Sequence, residues 1–135
     1  MPYTNTLITI AKDSPVEVSE TPTSTRENTP MHIVVYELLL GNPYGHNHEQ
    51  LIFESHIIHK KLGELSREEK EVLWEKLGKR THACLRTSPL TKKYGYGAHY
   101  DAVGNIALYP AESMVYKKFV KDKDIKKIPA MSNKK

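Results

Sequence analysis

The residues best equipped for chemistry stand together in one stretch, CLRTSPLTKKYGYGAH at positions 84–99. Arg86 can fork onto a carboxylate or phosphate, Lys92 and Lys93 add point charges, and Thr87, Ser88 and Thr91 offer hydroxyl donors. Gly95 and Gly97 let backbone amides come close to a ligand. No acid lies between positions 76 and 100. This is the chemistry of an anion site, and Arg86, Ser88, Lys92, Lys93, Tyr94 and His99 are its candidate ligand-binding residues. The same residues also fit a structured connection, in which Ser-Pro caps a turn, the cations face water and the tyrosines pack. The spacing is not that of a Walker loop, since no glycine precedes the Lys-Lys pair at the required distance. No cofactor is assigned.

Other constellations are thinner. Cys84 as a nucleophile needs a lowered pKa and a base, for which Arg86, His82 and His99 are the candidates. A lone cysteine also fits a small buried apolar residue. His46 and His48 form an H-x-H pair, with Glu49 and Glu54 downstream, but the spacing misses that of a cupin metal motif. His56 and His59, on an expected strand, face opposite ways. No metal site is expected. His99 and Asp101, two apart on a strand, can pair as a base and its orienting carboxylate. Tyr94, Tyr96 and Tyr100 can stack on a ring or serve as half-buried sheet residues.

The elements that must position these residues follow from periodicity and punctuation. Residues 6–11 alternate and are β-branched, which predicts a strand, and residues 12–28 read as a surface loop. Thr29 as N-cap, with Pro30 at the first helical position, opens a buried helix that Gly41 and Pro43 stop. Residues 51–59 (LIFESHIIH) read as a second strand. Ser66 and Glu69 form a capping box, and the helix that follows carries Val72, Leu73, Trp74 and Leu77 as an apolar stripe, with Trp74 expected in the core. A hairpin turns at Asp101-Ala-Val-Gly104, and a last helix spans 111–120 with Glu112 in its first turn. The resulting order is β-α-β-α-β-β-α. It predicts an α+β fold, a small mostly antiparallel sheet of about four strands with helices packed on one face. Residues 1–120 are expected to form the single domain and 121–135 a basic, disordered tail.

Charge is distributed in blocks. Residues 1–75 hold six Lys/Arg against twelve Asp/Glu, residues 76–100 hold six cations and no acid, and residues 117–135 hold eight lysines against two aspartates. The formal net charge of +4 is therefore not that of a uniformly basic body, and specific nucleic-acid binding is not expected. A single cysteine and an N-terminus unlike a signal peptide point to the cytoplasm. No apolar run suits membrane insertion.

CLRTSPLTKKYGYGAH, together with GNIALYP, YELL at 36–39, NPY at 42–44 and LIFESH at 51–56, resembles a family of uncharacterised bacterial and fungal proteins, a domain of unknown function. The resemblance runs from about residue 3 to about residue 120 and implies one intact domain without supplying an activity. Two functions are carried forward: a small-molecule-binding domain, with or without an enzymatic activity, that takes an anionic ligand at 84–99, and a non-catalytic module for protein interaction or self-association.

Overall fold

The fold is seen in a computed structural model that describes residues 3–25, 27–80 and 84–133. It is an α+β fold built on one four-stranded mixed sheet. In chain order the elements are β1 (Thr6–Thr9), α1 (Met31–Gly41), α2 (His48–His59) and α3 (Arg67–Gly78), then a 3-10 turn (Leu85–Thr87) running into α4 (Pro89–Lys92). β2 (Tyr96–Tyr100), β3 (Ile106–Pro110), α5 (Met114–Lys121) and β4 (Lys126–Pro129) complete it. The strand order is β3-β2-β1-β4, with β2 antiparallel to both β1 and β3, and β4 parallel to β1.

Alternation along β2 divides the molecule. Tyr96, Ala98 and Tyr100 join Ile8, Ile106 and Leu108 on one face, where they pack with Leu39 of α1, Leu51 of α2 and Leu90 of α4. Gly97 and His99 face the other way and are covered by α5, the former by the Tyr116 ring and the latter by Phe119. Helices therefore lie on both faces of the sheet, not on one. α5 is the helix that the expected arrangement misplaces, because the odd positions of β2 are small or polar yet still need cover from water.

Residues 51–59 are helical and not a strand, and the reason lies just upstream. Asn47 Oδ1 accepts from the Gln50 amide at 2.8 Å, while Gln50 Oε1 accepts from the Asn47 amide at 3.0 Å. This capping box satisfies two orphan donors and starts α2 at His48. α1 starts one residue late, with Pro30 and not Thr29 at the cap position. Glu112 lies before α5, whose cap is Ser113, and its carboxylate instead accepts from the Ser19 amide and hydroxyl at 2.9 and 2.7 Å.

The segment expected as a disordered tail supplies β4. The Ala130 amide continues the pairing to Thr9 O at 2.9 Å, and Asn133 bonds to Asp13 and to Lys92 O. A short lysine-rich edge strand is held by its ladder and its end contacts, not by an apolar pattern. α3 carries the expected capping box, but Trp74 is not in the core. It is 44% exposed and meets Phe53 of α2 edge-on at 5.3 Å, because α3 packs chiefly against α2 and leaves the sheet to other helices.

Candidate functional site

The 84–99 segment folds as a tight corner. Ser88 caps α4, its Oγ accepting from the Leu90 amide at 3.2 Å, with Pro89 at the first helical position. Thr91 is fully buried and its hydroxyl donates to Leu85 O at 2.5 Å, locking the 3-10 turn onto α4. Gly95, at φ 81°, lets the chain turn into β2, and a side chain there would press on the Ser19 backbone at 3.0 Å.

The six candidate residues do not converge. Arg86 is half-buried, its Nε donating to Pro129 O at 3.0 Å and its carbonyl accepting from Met131 N at 2.8 Å, so it clasps β4. Lys92 is half-buried and Lys93 exposed. Tyr94 stacks on His32 of α1, with ring centroids 5.6 Å apart. His99 lies across the sheet, 8% exposed, stacked on Phe119 at 4.0 Å and hydrogen-bonded through Nδ1 to the Tyr44 hydroxyl at 2.7 Å. Burial holds the His99 pKa below the ordinary imidazole value, against the opposing pull of Asp101 and Asp122. Asp101 does not orient His99; its Oδ1 accepts from the amides of Val103 and Asn105 at 3.0 and 2.9 Å and closes the hairpin turn. His82, named as a partner for Cys84, lies outside the described residues. Among the described residues no three His, Cys, Asp or Glu side chains are grouped to hold a metal ion.

Ser88 alone among the six lines a groove of about 420 Å³ between α1, α2 and the start of the segment. Val35, Leu51, Ile52 and Pro89 provide apolar wall, and His32, His48, His56, Cys84, Thr87 and Ser88 provide polar edges. Among the described residues no Asp, Glu, Lys or Arg lines it. Burial, and then the nearby cations Lys60, Arg80 and Lys76, push the His56 pKa down, so that this imidazole is neutral at pH 7 and can both donate and accept. The groove can thus enclose an apolar body and offer hydrogen bonds to an uncharged polar end. A fully ionised group inside it would meet no opposite charge from the lining.

None of the α1 and α2 residues of this wall was among the six ligand-binding candidates, although His48 and His56 were weighed as metal ligands. Their one legible signal was the capping box at Asn47, which makes 48–59 helical and puts His48, Ser55 and His56 within reach of a single groove.

A small mixed-sheet α+β protein with a ligand-sized groove is the class defined by this fold and site. The chain belongs to a family of unknown function, DUF6157, whose model matches residues 1–135. No curated protein and no solved structure matches it. Among the described residues no helix is long and apolar enough to cross a membrane.

Proposed function

We propose that the protein is a small-molecule-binding domain whose ligand occupies the groove between α1, α2 and residues 84–89. The observation that carries this is the lining: apolar walls joined to neutral imidazole and hydroxyl groups, in a volume of about 420 Å³. Such a volume is typical of small-molecule sites, which combine apolar enclosure with a few orienting polar groups. The ligand is neutral, with an apolar or aromatic body and one hydrogen-bonding end directed at Ser88 and His56. The anionic handle expected from Arg86, Lys92 and Lys93 has no counterpart among the described residues that line the groove, which favours recognition by shape and hydrogen bonds over charge. A thermal-shift panel tests this: neutral heteroaromatic compounds raise the melting temperature, whereas inorganic phosphate and simple carboxylates at equal ionic strength leave it unchanged. The reverse ranking refutes the neutral-ligand reading.

A second reading, a module for protein interaction, draws on Trp74 and Val72 of α3, 44% and 66% exposed beside Phe53. Sedimentation velocity across a concentration series tests whether that patch self-associates; a monomer throughout removes this version of it.

A further inference from the structure

At the groove wall formed by Cys84 lies a cluster that ligand binding does not require. The Tyr3 hydroxyl stands 3.9 Å from Cys84 Sγ. The Arg86 guanidinium also approaches that hydroxyl, so the phenol can turn its proton to sulfur while its oxygen faces a cation. Arg86 is held in place by its bond to Pro129 O.

The third member is Tyr100. It is 1% exposed, its ring meets Tyr3 edge-on at 5.3 Å, and negative charge on Cys84 or Tyr3 would hold its phenol proton more tightly. Among the described residues that hydroxyl finds no hydrogen bond of ordinary geometry. The backbone of Leu85 approaches it as a donor, which leaves the phenol's own proton without an acceptor. Buried donors in this condition are uncommon, since nothing offsets the loss of water. The cluster thus sets the Tyr3 phenol beside the thiol, with Arg86 behind that phenol, and leaves the neighbouring Tyr100 proton in want of an acceptor. Oxygen bonded to sulfur would supply it.

We propose that Cys84 is a peroxide-reactive thiol whose sulfenic oxygen is received by the hydroxyls of Tyr100 and Tyr3. A hydroperoxide enters along the groove. The thiol releases its proton to solvent, and the thiolate attacks one peroxide oxygen, forming the S–O bond as the O–O bond breaks. Sulfur gives up two electrons, and the departing hydroxide or alkoxide takes a proton from solvent to leave as water or an alcohol. The chain has one cysteine, so no disulfide can form within it. Return to the thiol therefore takes two external thiols, the first expelling water to form a mixed disulfide and the second displacing Cys84 as thiolate. The groove is needed only as an entrance, so this inference stands apart from the ligand reading.

The test treats the full-length protein with hydrogen peroxide at pH 7 and follows sulfenic acid by dimedone trapping and intact mass. Wild type, Tyr100→Phe and Tyr3→Phe are compared, with Cys84→Ser as the blank and melting curves as the check on folding. Tyr100→Phe removes a hydroxyl that makes no hydrogen bond of ordinary geometry among the described residues, and the fold is expected to persist. The expected result is trapping at least about tenfold faster than for free cysteine. Both Phe variants lose several-fold in rate, or pass more quickly to the sulfinic acid. Wild-type trapping no faster than free cysteine, both Phe variants matching wild type, or label on Cys84→Ser each overturns the proposal.

Discussion

Gly97→Ala is the sharpest probe of how α5 seats on the sheet. A Cβ at position 97 would lie 2.6 Å from Tyr116 Cδ2, closer still to Cε2, and 3.3 Å from Ile8 O. Ordinary carbon contacts begin near 3.5 Å, so the ring must retreat by roughly 1 Å. It has little room to do so, being 8% exposed and tethered by the Ile10 amide, which donates to its hydroxyl at 3.1 Å. Overpacking of this kind costs about 1–3 kcal/mol, and losing the tether costs about 1 kcal/mol more. Relief of glycine's backbone entropy in a strand returns about 0.5 kcal/mol. The net expectation is a loss of about 1.5–3.5 kcal/mol, or a melting temperature lower by roughly 10 °C at the middle of that range for a chain of this size. Urea and thermal melts of a double-mutant cycle isolate the cause. In a Tyr116→Ala background the same change costs less than about 0.5 kcal/mol, because the obstacle is gone. Equal costs in both backgrounds refute the reasoning.

Three further outcomes follow from the packing. Trp74→Ala costs about 1–1.5 kcal/mol, as befits a half-exposed ring with one edge-on partner, and a loss above about 3 kcal/mol in urea melts contradicts its placement. Removing residues 122–135 breaks the β4 ladder, the Arg86 bond to Pro129 and the Asn133 contacts, at about 1 kcal/mol per hydrogen bond; an unchanged melting temperature refutes the strand's contribution. His99 binds its proton less readily when folded than the ordinary value of 6.5, so the unfolded chain takes up more protons as pH falls. Stability is therefore full above about pH 6.5 and declines below it. His99→Gln flattens that slope in melts from pH 5 to 8, with His56, whose pKa is also lowered, left to supply the remainder; an undiminished slope in the variant shows that His99 is not its source.

Much of the fold was written locally. The capping box at Ser66, the Asp-Ala-Val-Gly turn and the glycine-proline stop after α1 each mark a boundary with chemistry that needs no tertiary context. Residues 51–59 misled because Leu51, Ile52, Ile57 and Ile58 suit either period, and Asn47 with Gln50 arbitrates only if the cap is sought four residues ahead of the apolar run. β4 was illegible because its order comes from pairing with β1, a contact more than a hundred residues away along the chain. The candidate site was half legible. Its concentration of reactive types at 84–99 marks a real corner of the groove, but β2's alternation carries His99 to the opposite face, and Arg86 is engaged by a strand the sequence did not announce. The facing wall, His32, His48 and His56, becomes a neighbour only once α1 and α2 fold over α4.

The central claim is that a neutral small molecule binds in the α1–α2 groove, and protein-observed NMR with a library of neutral heteroaromatic fragments tests it most directly. Amide shifts recorded for wild type and for Ile52→Trp, whose indole would fill the groove, give the comparison. The account predicts fragments that perturb His32, His48 and residues 84–88 in wild type and lose that effect in a folded Ile52→Trp. Fragments that move none of these amides, or that bind Ile52→Trp as well as wild type, contradict it.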